Sequence, residues 1–161
     1  MKAEIIQTDE GYNAEFIRQL AHPIEKVWAM LTENDKLQQW FDELTIEDLR
    51  KGGTISFNMG DGNFEKMEIL EYEEGKLLTF EWTENQVTFQ LQGKNGSTTL
   101  TMVEKINKIT PQTAKDLAGW HVCLDVIEAL LDGKAISRTA EWEKEYPEYK
   151  RLLSSMTVEF E

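Results

Sequence analysis

The strongest constraint on this chain is a change of hydrophobic period. From Leu44 to Ile106 the apolar side chains recur at every second residue. In GGTISFNM, Ile55, Phe57 and Met59 share one face; in KLLTFEWT, Leu78, Phe80 and Trp82 do; in QVTFQLQG, Val87, Phe89 and Leu91 do. STTLTMVEKI adds Leu100 and Met102. A period of two belongs to strands with one buried face. Turn residues separate the runs: Gly52–Gly53, Gly60–Asp61–Gly62, Glu74–Gly75, and Lys94–Asn95–Gly96 with its Asn-Gly hairpin signal. Such short connections exclude parallel crossovers, so the segment reads as an antiparallel meander over a single core.

Helical spacing flanks the meander on both sides. YNAEFIRQL reads as a first strand ending at Ala21–His22–Pro23. PIEKVWAMLT then reads as a helix, because Pro23 suits a first turn and Ile24, Val27, Trp28 and Leu31 recur at helical steps. ENDKLQQWF reads as a second short helix, N-capped by Asn34 or Asp35, with Leu37, Trp40 and Phe41 on one side. After the meander, Leu117, Trp120, Cys123, Leu124, Ile127, Leu130 and Leu131 form a broad apolar stripe on a long helix. His121, Asp125, Glu128 and Asp132 gather on the other face, which is read as solvent-facing. Beyond Gly133, Trp142, Tyr146, Tyr149 and Leu153 repeat at three- and four-residue steps, and Pro147 is expected to split this tail into two short helices. The expected organisation is one domain over residues 1–133, with a helical appendage over 134–161 packed on it or on another subunit.

Composition narrows the function classes. With 17 Lys and Arg against 30 Asp and Glu, the net charge of −13 repels phosphate backbones and anionic lipid head groups, so nucleic acid is not an expected partner. No apolar run approaches the length of a membrane span, and the first residues have no signal-peptide core. A single cysteine excludes an internal disulfide and a cysteine metal cluster, and a reducing cytoplasmic setting is expected.

The candidate chemistry is sparse. His121 and Cys123 are two residues apart on a helix and therefore point away from each other, which excludes a nucleophile–base pair. Cys123 belongs to the buried stripe, where a free thiol behaves as a small hydrophobe. His22 precedes the first helix and reads as a turn or capping residue. Two histidines without HxH or HExxH spacing do not make a metal site, and no phosphate-loop, GxSxG or EF-hand pattern is present. Glu104 shares parity with Leu100 and Met102; a strand-end bulge is expected to return it to solvent. No catalytic residue, metal or cofactor is assigned.

The order of strand, two short helices, meander and long helix resembles the helix-grip fold of the START-related, Bet v 1-like (SRPBCC) superfamily. More narrowly, FIRQLAHPIEKVWAMLTENDKLQQWF, followed by GGTISFNM, LLTFEWT, VTFQLQGKNGSTTLTM and GWHVCLDVIEALL, is similar to the heat-shock-protein-90 ATPase activator-like domain family. The resemblance spans Tyr12 to about Gly133 and implies an α+β fold. In it a curved antiparallel sheet of about six to seven strands wraps a long helix, with an apolar cavity between them.

The residues expected to line that cavity are Phe57, Met59, Met67, Phe80, Trp82, Phe89, Met102, Trp120 and Leu124, with Trp40 and Phe41 closing one mouth. Aromatic and methionine side chains give a deformable apolar lining. The expected function is binding or carrying of a small apolar or aromatic, lipid-like molecule. Two alternatives stand beside it. One is a chaperone-activator-type interaction module tied to stress response, using the acidic surface or the tail for a chaperone or for self-association. The other is a cavity enzyme, a cyclase or hydrolase, which requires a convergent pair of titratable groups inside.

Overall fold

The structure is a computed structural model and describes residues 2–157; residues 158–161 of the expected appendage lie outside the described residues. A hairpin of β1 (Glu4–Thr8) and β2 (Gly11–Leu20) leads into helices α1 (Ile24–Thr32) and α2 (Asn34–Trp40). The meander follows as β3 (Leu44–Asp48), β4 (Thr54–Asn58), β5 (Phe64–Glu73), β6 (Leu77–Trp82), β7 (Asn85–Lys94) and β8 (Ser97–Ile106). Helices α3 (Pro111–Leu131) and α4 (Arg138–Thr157) complete the chain. All neighbouring strands pair antiparallel in the order β1-β2-β8-β7-β6-β5-β4-β3. This is the α+β helix-grip arrangement, with eight strands where six to seven were expected.

The additional strand is β1. Its EIIQT sequence has two adjacent apolar residues instead of an alternation, because it is an edge strand and Ile6 is exposed. Its turn into β2 requires glycine: Gly11 has a φ of +149°, and a Cβ there would lie 2.2 Å from the Ile106 carbonyl oxygen.

Inward residues form rows across the strands. Phe16 pairs with Met102, Met102 with Phe89, and Phe89 with Leu78, so one row runs through β2, β8, β7 and β6. Bulges between Ile46 and Asp48 and between Ile69 and Glu71 interrupt the ladder on the β3 side. Such bulges add local twist and bend a strand, which helps the sheet curve around a helix.

The short helices seal the β3 edge. Asn34 is not the N-cap of α2; Glu33 occupies that position without a side-chain cap. The Asn34 amide instead accepts from Ile46 N–H at 2.8 Å and donates to Ile46 C=O at 2.9 Å. An edge strand exposes unpaired backbone groups, and one amide satisfies both of those at Ile46.

Helix α3 begins with a capping box between Thr110 and Thr113. Its burial differs from the simple amphipathic reading. Val122, Val126, Ala129 and His121 are buried along with Leu117, Trp120, Cys123, Leu124 and Ile127 of the expected stripe, because the sheet covers one side and α4 another; Leu130 and Leu131 are half-buried. Helix α4 is one continuous element containing Pro147, not two short helices. Pro147 and Glu143 are both exposed, so the carbonyl that proline leaves without an amide partner is open to water. Tyr149 and Leu153, buried against the core, hold the helix in place.

Candidate functional site

One end of the α3–sheet interface is built from aromatic rings. Trp82 lies at the last position of β6 and Phe57 points inward from β4; Phe41 follows α2, and Trp120 projects from α3. Measured between ring centres, Phe41 is 6.0 Å from Phe57, 5.7 Å from Trp82 and 5.5 Å from Trp120. Trp82 is 5.6 Å from Phe57 and 5.1 Å from Trp120. Most of these pairs are edge-to-face, the arrangement that ring quadrupoles favour. Phe41, Phe57 and Trp82 are half-buried, whereas Trp120 is 2% exposed, so three rings form a rim over an indole floor.

Beside this rim stands a carboxyl pair. The Trp82 indole N–H donates to Asp116 Oδ1 at 3.0 Å, and Asp116 faces Glu104. Glu104 is 0% exposed and receives a hydrogen bond from Asn85 Nδ2 at 3.2 Å. Asn85 in turn accepts from the Asn107 backbone N–H at 3.0 Å. Burial above all, then the hydrogen bond and charge of Asp116, pushes the Glu104 carboxyl up to about 10. Its other oxygen, Oε1, has no conventional donor. A proton on Glu104 shared with Asp116 resolves this, and the pair then carries one proton and one negative charge at neutral pH.

The expectation that Glu104 returns to solvent is therefore overturned. The Val87↔Glu104 and Ala14↔Glu104 pairings keep it in regular register, on the same face as Met102. Asp116 and Asn85 went unrecognised in the sequence. The signal for Asp116 was its position one helical turn before Trp120; Asn85 read only as part of a turn.

The other expected lining residues divide by burial. Trp40, Met67, Phe80, Phe89, Met102 and Leu124 are buried in the core. Phe89 lies 6.1 Å from Trp120 and 6.2 Å from Trp40, and Phe80 lies 6.2 Å from Phe89, so these rings continue the cluster inward. Met59 departs from the inward reading and is 52% exposed, because β4 ends at Asn58 and the alternation stops there. Beneath the cluster, Leu31, Trp40, Phe80 and Phe89 border a void of about 10 Å³, the size of a single water. A cleft of about 1020 Å³ lies elsewhere, along Ile24, Gln90, Gly93 and Ser97, and does not touch the aromatic rim.

His121 also differs from its expected placement: it is buried against α4, not solvent-facing. Its Nδ1 is 2.8 Å from the Tyr149 hydroxyl, which already accepts from the Ala3 backbone N–H at 2.9 Å. The hydroxyl thus joins Ala3 to His121, whose Nε2 lies 3.3 Å from Asp125 and 3.7 Å from Glu145. Arg18 approaches Asp125 at 3.4 Å. Burial tends to raise the Asp125 carboxyl, but the His121 and Arg18 contacts outweigh it and hold the group below its ordinary value. This network ties α4 to α3 and opens on no ring or cleft described above.

Cys123 is buried with its thiol 3.7 Å from the Trp40 carbonyl oxygen, and burial pushes it up to about 11. It is therefore a protonated packing residue, not a thiolate nucleophile. His22 bonds Asp132, the C-cap residue of α3, at 2.7 Å. Among the described residues no cluster of three His, Cys, Asp or Glu side chains is placed to hold a metal ion. Among the described residues no helix is long and apolar enough to cross a membrane.

Comparison with known proteins bears on this geometry. No curated protein sequence matches the chain. Among solved structures it is similar to a conserved protein of unknown function, EF2215 from Enterococcus faecalis. The two are 26% identical, with a TM-score of 0.85 over 96% of this chain and 91% of that one. CalU16 from Micromonospora echinospora shares the fold at 19% identity and a TM-score of 0.71, covering 94% of this chain and 98% of its own. DynU16, described as belonging to the dynemicin biosynthetic locus, aligns at 25% identity and a TM-score of 0.65. That alignment covers 79% of this chain and 49% of DynU16. The sequence pattern of one family, described as activator of Hsp90 ATPase homolog 1-like protein, matches residues 21–132. The chain belongs to this family of activator of Hsp90 ATPase homolog 1-like proteins.

Proposed function

We propose that this protein binds a small apolar or aromatic molecule at the rim formed by Phe41, Phe57 and Trp82 over Trp120. The observation that carries the reading is the convergence of four rings at a half-open mouth beside a proton-sharing carboxyl pair. Ligand sites combine an apolar, aromatic lining with a few polar groups that fix orientation, and this mouth has both. The interior below it is filled, so the ligand enters by displacing a ring. Phe41 is the ring to move, because it sits in the connection after α2 instead of on a strand or long helix.

The test is titration with a neutral aromatic probe, 3-tert-butylphenol, followed by tryptophan fluorescence and melting temperature. Binding should change the emission of Trp82 and Trp120, and ligand at 100 times its Kd should stabilise the native state by about 2.7 kcal/mol. Trp82→Leu should abolish both responses. No response in the unaltered protein sinks the proposal.

A separate observation favours the interaction-module reading. Met59 and Phe64, 52% and 57% exposed, both lie beside the turn of the β4–β5 hairpin, and a partner that covers this turn would bury both. A Met59→Ser/Phe64→Ser protein that stimulates an Hsp90 ATPase less than the unaltered chain supports this reading. Stimulation by neither protein removes it.

A further inference from the structure

We infer that the ligand of the aromatic mouth is an organic monocation, an alkylammonium or quaternary ammonium group attached to an apolar body. This rests on the site reading above and goes further by specifying charge.

Three features of the mouth converge on a cation. Ring faces carry negative electrostatic potential and attract ammonium groups, tryptophan most strongly. Two of the four rings are indoles. The Trp82 N–H donates to the Asp116 carboxylate, which fixes the orientation of that indole and makes its π system more electron-rich. The carboxyl pair adds one negative charge. Asp116 is half-exposed at the mouth and Glu104 is fully buried behind it, with Oε1 lacking any donor outside the pair.

The surrounding charges reinforce the choice. Asp42 and Glu43 follow Phe41 directly and are exposed. Arg138 is a cation on this side of the fold: its guanidinium donates to the Trp40 carbonyl at 2.5 Å and to Cys123 Sγ at 3.6 Å, and it lies near Glu43. Its charge is engaged by those partners. The whole chain carries a net charge of −13, so an approaching cation is drawn in from a distance. An anionic ligand is opposed by the net charge of the chain and by Asp116, Asp42 and Glu43. A neutral ligand gains the ring contacts and any hydrogen bonds, without the attraction of opposite charge.

The experiment compares two compounds of the same shape, 3-hydroxyphenyltrimethylammonium and 3-tert-butylphenol, by isothermal titration calorimetry. Unaltered protein should bind the cation about tenfold more tightly than its neutral isostere. Asp116→Asn should bring the two affinities together. Glu104→Gln should retain the preference, because glutamine reproduces the neutral, hydrogen-bonding member of the pair. If Asp116→Asn fails to fold by circular dichroism, Trp82→Phe serves instead and should shrink the preference several-fold.

Equal affinities in the unaltered protein overturn the cation inference and leave the aromatic site standing. A preference that persists undiminished in Asp116→Asn also overturns it, assigning the effect to overall charge. If neither compound binds, the site reading and this inference fall together.

Discussion

Replacing Glu104 with glutamine should stabilise this protein, by an amount that depends on pH. In the unfolded chain the glutamate titrates near 4.5; in the fold, burial and Asp116 push it up to about 10. Between those values the native state holds a proton that the unfolded state has released. Stability therefore falls as pH rises, by about 1.4 kcal/mol per unit, and the full contribution is present only below the unfolded value. From 4.5 to 7 the accumulated cost is about 3 kcal/mol. Glutamine has no proton to retain. Its Nε2 still donates toward Asp116 and its Oε1 still accepts from Asn85, so the local bonds survive. Glu104→Gln should match the unaltered protein at pH 4 and exceed it by about 3 kcal/mol at pH 7. For a domain of this size that is a rise in melting temperature of about 6–12 °C. Calorimetric melts at several pH values measure both the size and the slope. A variant less stable at pH 7, or one with a pH-independent difference, refutes the shared proton.

Two further outcomes follow from burial. Cys123 should resist a thiol reagent in native buffer and react only when denaturant opens the core, and Cys123→Ala should cost about 1–2 kcal/mol in lost packing; rapid native labelling contradicts this. Tyr149→Phe strips the hydroxyl that joins Ala3 N–H to His121 Nδ1, leaving both without that partner in a buried setting. A loss of about 1–3 kcal/mol in urea denaturation is expected, and an unchanged midpoint shows that water replaces the hydroxyl.

Much of the architecture was legible because its signals are local. Alternation from Ile55 to Met102 reports which face of each strand is buried, and the Asn95–Gly96 pair reports a hairpin. The stripe from Leu117 to Leu131 reports that one side of the helix is covered. Each depends on residues a few positions apart, so the chain alone carries it, and the order of these elements was enough to suggest the family. The rim residues Trp82, Phe57, Phe41 and Trp120 were named on the same basis, as inward parity and helix-face positions.

What remained hidden depends on residues far apart in sequence. The fate of His121 was decided by Tyr149, 28 positions later, whose helix covers a face that periodicity assigned to water. Pro147 does not break α4, because its exposed position lets water satisfy the carbonyl that proline leaves unpaired while Tyr149 and Leu153 anchor the helix. Glu104, expected to return to solvent at a strand-end bulge, stays buried with Asp116, on α3, opposite it to share a proton. Local pattern determines where apolar surface lies along each element. Whether a polar side chain on that surface is buried, paired or charged is a question of what packs against it, and only the tertiary structure supplies that partner.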